Sequence, residues 1–158
     1  MAGGAEIHLH EIFGRLAAMG HEVVLLCGGW PGCPPRAVLD GIEVHRVGTR
    51  QSFPFLARRY WHQHLAERGL QVLVEDINKV PLFTTTWRVP QVVGLVPHLF
   101  GATAFQELSV PLATAVWLSE RPLPFMYRGR PCQAISEGTR DDLVSRGLAA
   151  RDIRVIFP

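Results

Sequence analysis

The chain has 158 residues, of which 47% are hydrophobic and 19% charged, with a formal net charge of +2. That is one domain's worth of chain with enough apolar residues to build a packed core, which excludes a disordered tail. The charge is too small to argue for a nucleic-acid partner, and the basic side chains are almost all arginine, Lys79 being the one lysine.

Cys27, Cys33 and Cys132 make neither an even framework nor a C-x-x-C pair, so a disulfide scaffold and a cysteine zinc site are not expected. A reducing compartment fits better. Residues 1 to 11 lack a basic n-region and carry Glu6 and Glu11, unlike a signal peptide. The longest uncharged stretch, Val89 to Gln106, is broken by Pro90, Gly94, Pro97, His98 and Gly101, which makes it a poor membrane span. The expected location is cytoplasmic, soluble or peripheral to a membrane.

In chain order, Leu9, Ile12, Phe13 and Leu16 recur at helical spacing, and Gly20 is placed to end that helix. Val23 to Cys27 is an apolar run without polar alternation, the pattern of a strand buried on both faces. Residues 28–32 read as a loop, Asp40-Gly41 as a turn and Ile42 to Val47 as the next strand. Residues 54 to 68 read as a helix closed by Gly69, followed by a buried strand, Val72 to Val74, running into Glu75 and Asp76. Val92 to Val96 is another strand, ending at Pro97-His98. Residues 110 to 120 are helical, Cys132 to Ile135 is a short strand, and Thr139 to Asp142 opens a helix in the manner of a capping box, closed by Gly147. Ile153 to Phe157 is the last strand. Alternating strands and helices with apolar strands predict an α/β, Rossmann-like parallel sheet with helices on both faces.

Ligands of such sheets sit at the carboxyl ends of the strands, often at a helix N-terminus. The residues just after the expected strands are therefore the ones to weigh. His98 can hydrogen-bond a substrate hydroxyl or stabilise developing charge; a loop histidine satisfied by backbone is the other reading. Glu75, Asp76 and Asn78 suit sugar hydroxyls, or else a carboxylate here caps the next helix or pairs with Lys79. Ser136, Glu137 and Thr139 either cap a helix or use its N-terminus to hold an anion. Gly3-Gly4-Ala5-Glu6 before a helix can cradle a phosphate, or is simply a flexible terminus. His8 and His10, like His62 and His64, are two residues apart, so on a helix neither pair can chelate a metal from one face. Between Val110 and Arg130, Trp117, Phe125 and Tyr127 stand near Arg121, Arg128 and Arg130. That mixture suits either an anionic membrane surface or a helix packed on the sheet with its arginines in solvent.

Taken in order, Gly3-Gly4-Ala5-Glu6, Gly20-His21-Glu22-Val23, Glu75 to Pro81, His98-Leu99-Phe100-Gly101, Ser136 to Leu143 and Ile153 to Ile156 resemble the N-terminal domain of retaining glycosyltransferases of family 4. These enzymes have the two-domain GT-B fold, and the likeness covers nearly the whole chain. It implies transfer of a sugar from a nucleotide-sugar donor to a glycan or lipid-linked acceptor, as in cell-surface polysaccharide or glycoconjugate synthesis, with no cofactor and usually no metal. The resemblance puts Gly3 and Gly4 in a loop facing the donor diphosphate and His98 at the reacting centre as the catalytic residue. Glu6, Glu75, Asp76, Asn78, Ser136, Glu137 and Thr139 are the candidates for the acceptor or sugar. The subgroup often carries two adjacent histidines where this chain reads Pro97-His98.

Residues 1–158 thus read as a single acceptor-side domain, without the C-terminal donor-binding domain and without the strand expected before the glycine loop. On that reading the isolated chain has little or no transferase activity, because the main donors to the leaving diphosphate are missing. Three alternatives stay open: one subunit of a split transferase or a homo-oligomer, a non-enzymatic glycan- or lipid-binding module, and an unrelated flavodoxin-like domain. Nucleic acid is not an expected partner.

Overall fold

The computed structural model describes residues 4–78, 80–101 and 104–157, without the side chains of residues 4–6, 104 and 107. The chain forms two compact units, Met1–Gln63 and His64–Pro158.

In the first unit, helix α1 (Gly4–Ala18) leads into strand β1 (Val24–Gly29). Gly20 ends α1 at φ +92°, with the His21 amide reaching back to the Leu16 carbonyl at 3.1 Å. This is a Schellman-type stop, which needs a left-handed residue that only glycine adopts without strain. Strands β2 (Arg36–Leu39) and β3 (Ile42–Thr49) make an antiparallel hairpin. Its two-residue turn is Asp40-Gly41, at φ 46° and 81°, the left-handed pair that matches the twist of the flanking strands. The sheet order is β1-β3-β2, with β1 parallel to β3. Ile42 and Val44 are buried on one face of β3, while His45 is buried on the other. His45 Nδ1 lies 2.9 Å from the Tyr60 hydroxyl and Nε2 lies 2.6 Å from Glu43 Oε1, so both ring nitrogens are satisfied. Helix α2 (Phe53–His64) buries Ala57 and Trp61.

The second unit is built on a four-stranded parallel sheet, β4 (Val72–Asn78), β5 (Gln91–His98), β6 (Cys132–Ala134) and β7 (Ile153–Val155), in the order β4-β5-β6-β7. The β5–β6 connection carries α3 (Ala104–Glu107), α4 (Val110–Glu120) and α5 (Leu123–Met126); α6 (Glu137–Ser145) joins β6 to β7. The core centres on Val92, Val96 and Ala134 in the sheet and on Leu123, Tyr127 and Leu143 from the connections. Each is fully buried, and an isolated strand of this length could not achieve that alone. α6 ends at Gly147 (φ +109°), where the Leu148 amide reaches back to the Leu143 carbonyl.

The α/β expectation and the Rossmann-like parallel sheet hold, but several details differ. The described strands fall into two sheets, one of them mixed. Residues 36–39 form a strand that the sequence reading passed over, because a four-residue segment with Arg36 at its start carries little periodicity. β1 is half-buried along its whole length rather than fully buried on both faces, and it continues through Gly28 and Gly29, read as loop. β4 and β5 extend to Asn78 and His98, so Glu75, Asp76 and Asn78 lie within a strand and not after it. Strand pairing to β5 outweighs the low strand propensity of this acidic, amide-bearing stretch.

Candidate functional site

The carboxyl edge of the parallel sheet brings several of the singled-out residues together. Asn78 and His98 are direct partners in the β4–β5 register, following a register shift between Asp76 and Asn78. They are the final residues of neighbouring strands, and both are exposed. Parallel pairing makes such terminal residues neighbours along one rim.

Ser136 sits just beyond β6 and caps α6, its hydroxyl accepting the Thr139 amide at 3.1 Å. The helix therefore opens at Ser136, not at Thr139 as the capping-box pattern suggested. The Ser136 backbone is extended (φ −152°, ψ 160°), the conformation a cap needs. The Thr139 hydroxyl lies 3.0 Å from Ser136 Oγ and donates to the Pro97 carbonyl at 3.4 Å, tying the start of α6 to the end of β5. Glu137 is exposed on the first turn of α6 and pairs with Arg140 at 3.0 Å. His98, Asn78, Ser136 and Thr139 thus share one edge.

Glu75 is placed differently. It is 3% exposed, and its carboxylate accepts five hydrogen bonds: from the amides of Leu82, Phe83 and Thr84, the Thr84 hydroxyl and the Tyr127 hydroxyl. These donors fix the loop after β4 and the 3₁₀ turn at Thr84–Thr86. The loop includes Phe83 at φ 54°, a left-handed conformation costing a bulky residue about 1–2 kcal/mol, which the Glu75 hydrogen bonds offset. Gly94 packs closely beside this arrangement. It faces Glu75 in the register, and a Cβ there would come within 3.4 Å of the Tyr127 ring and 3.2 Å of Cys132 Sγ. Burial, then the adjacent Glu75 carboxylate, push the Tyr127 phenol well above its ordinary range, so it stays protonated and donates. Burial likewise pushes the Cys132 thiol up to about 11, which keeps it inert. Of the capping and sugar readings, this geometry gives Glu75 the first: it positions a loop.

Asp76 points to the opposite face of β4 from Glu75 and is half-buried. Gly4 is the first residue of α1, Glu6 lies in that helix's first turn, and Gly3 falls outside the described residues. His10 is exposed and bonds Asp40 at 2.7 Å. Among the described residues, no group of three or more His, Cys, Asp or Glu is arranged to hold a metal ion. No helix among them is long and apolar enough to cross a membrane.

Sequence reasoning missed a second buried carboxylate. Glu120, the last residue of α4, is 1% exposed. It accepts the Phe100 amide on Oε1 and the Gly101 amide on Oε2, each at 2.8 Å, and Arg146 Nη1 at 3.0 Å. Burial works against the charge of Arg146, yet Asp142 and Glu120 together hold its guanidinium above the ordinary value. A signal was available: Ala113, Val116 and Glu120 are the buried residues of α4 at i, i+3 and i+7, which places a carboxylate in an apolar stripe.

In parallel α/β sheets ligands sit at the carboxyl rim, and this rim presents imidazole, amide and hydroxyl groups. The family model described as Glycosyltransferase Family 4 matches residues 2–158, and the chain belongs to that family. Its chemistry is accordingly glycosyl transfer, with a sugar donor and an acceptor as partners. A comparison with curated proteins finds no match.

Proposed function

We propose that this chain serves as the acceptor-side domain of a retaining glycosyltransferase that moves a sugar from a nucleotide-sugar donor to a glycan or lipid-linked acceptor. The observation carrying this reading is the pairing of Asn78 with His98 at the sheet's carboxyl rim, beside the Ser136–Thr139 cap of α6. His98 bonds the transferred sugar near the reacting centre, and Asn78 bonds an acceptor hydroxyl. The α6 N-terminus, with Glu137 and the Ser136 and Thr139 hydroxyls, orients the same ligand. Asp76 lines the approach, and Glu75 acts by shaping the loop after β4. The family likeness assigns Gly3 and Gly4 to the donor diphosphate, since a helix start offers free amides, and leaves Glu6 as a candidate for the acceptor or sugar. No metal enters this scheme, and residues 1–158 alone bind sugar while turning over little donor.

The setting we propose is the cytoplasmic face of a membrane, in cell-surface polysaccharide or glycoconjugate synthesis. Exposed Val110, Leu112, Leu118 and Phe125 beside Arg121 and Arg128 support a peripheral contact.

The test is an NMR titration of the labelled chain with a panel of mono- and disaccharides and with nucleoside diphosphate sugars. Shifts concentrated at Asn78, His98 and Thr139 are expected, and His98→Ala should weaken binding about tenfold, the worth of one good hydrogen bond. Sugar binding that ignores His98 and Asn78 would favour a non-enzymatic glycan-binding module instead.

A further inference from the structure

Glu120 has no part in the scheme above, and nothing in its chemistry requires a charge at the end of an apolar helix. Burying a carboxylate is costly unless it is paired and hydrogen-bonded, so the arrangement around it bears on what the charge does there. Its two oxygens each take one amide of the segment that follows β5, Phe100 on Oε1 and Gly101 on Oε2. Arg146, at the C-cap of α6, donates to it at 3.0 Å and also bonds Asp142 in that helix. Gly101 sits at φ +51°, and a Cβ there would lie 2.6 Å from Arg146 Nη2, so the backbone is pressed onto the ion pair. The clamp reaches His98 through Phe100. The Phe100 ring packs with Ala113 and Val116 and meets the His98 ring edge-on, with centroids 5.0 Å apart at 74°. His98 itself is exposed and would otherwise be free to rotate at the end of a strand.

We infer that Glu120, held by Arg146, is a positioning residue for His98. It fixes the Phe100 and Gly101 amides, which sets the Phe100 ring, which sets the imidazole at the sheet's carboxyl rim. Ligand binding at His98 then depends on a pair of charges at the ends of α4 and α6. The link to ligand binding rests on the proposed role of His98; the link to ring orientation does not.

The experiment uses the full chain with ¹⁵N backbone and ¹³C-histidine labels. In Glu120→Gln, the Phe100 and Gly101 amides should exchange at least about tenfold faster while Val92 and Leu95 keep their protection, the pattern of local opening. The His98 ring protons should lose the ring-current shift imposed by Phe100. Arg146→Lys, which keeps the charge and loses the fork, should change both readouts in the same direction and less. Phe100→Leu should abolish the His98 shift while leaving the Gly101 amide protected, which separates the ring contact from the clamp.

Should Glu120→Gln fail to fold, Arg146→Lys and Phe100→Leu carry the decision. Unchanged His98 ring protons in Phe100→Leu, or unchanged Phe100 and Gly101 exchange in a folded Glu120→Gln or in Arg146→Lys, would overturn the inference. Titration with the same saccharide panel should show binding weakened about tenfold in Glu120→Gln. If the clamp variants behave as stated but the unaltered chain binds no saccharide, the sugar-binding reading of His98 fails and the positioning of its ring stands.

Discussion

Tyr127 shows how much one residue can depend on a neighbour distant in sequence. Its hydroxyl donates to Glu75, 52 positions earlier, in an interior where Gly94 packs close to the ring. The folded state holds the phenol proton more tightly than the unfolded state, whose tyrosine titrates near its ordinary value of 10.0. The sign follows from linkage. The contribution is fully present below pH 10 and is lost as pH rises beyond it, at about 1.4 kcal/mol per pH unit for one proton. Urea unfolding between pH 9 and pH 11 should show that extra slope in the native chain and lack it in Tyr127→Phe. Equal slopes in the two proteins would contradict it. Nothing in the local sequence discloses this arrangement. Glu75 reads as a polar residue near a strand end, and a carboxylate there suits a ligand as well as a loop. Which it serves depends on the face of β4 it occupies and on donors from residues 82–84 and 127.

At the scale of elements, α6 is the most legible part of the site. Ser136 followed by Glu137 and Thr139 announces a helix start, and Gly147 announces its stop, because cap chemistry is local. Of the two starts that the sequence offers, Ser136 and Thr139, the fold takes the first. Thr139 was an equally good capping residue by type, and the extended backbone at Ser136 is what decides between them. Ser136→Ala should lower stability by about 1 kcal/mol and fray the first turn of α6. Chemical denaturation together with amide exchange at Thr139 would measure both. Thr139→Val, which keeps the capped amide, should cost less and loosen the tie to Pro97. The ends of β4 and β5 were less legible. Local composition stops a strand at the first polar residues, whereas pairing with a neighbour carries it on to Asn78 and His98. That extension turns Asn78 and His98 from loop residues into register partners.

At the scale of the whole molecule, the segment from Val110 to Arg130 matters most for location. Its only acid is Glu120, which is buried against Arg146, and its basic residues are Arg121, Arg128 and Arg130. Arg121 stacks on Trp117 at 3.9 Å, and Phe125 is 81% exposed. The segment thus exposes basic and apolar side chains, and the proposed contact with anionic lipid surfaces rests on that mixture. The chain should float with anionic vesicles at low salt and be released at about 0.5 M salt, where screening is short-ranged. Arg121→Glu with Arg128→Glu should abolish flotation without unfolding, and recovery with neutral vesicles alone would argue against the electrostatic part.

By itself the sequence determined the α/β class, most of the helices and strands in their order, the helix stops at Gly20 and Gly147 and the family likeness. All of these depend on residue type and short-range spacing. Only the tertiary structure decided that the strands fall into two sheets, that Asn78 stands beside His98, and that Glu75 and Glu120 are interior anchors for loops. Those outcomes rest on hydrogen bonds and register between residues tens of positions apart. A buried carboxylate takes its role from whichever distant donors the fold brings to it.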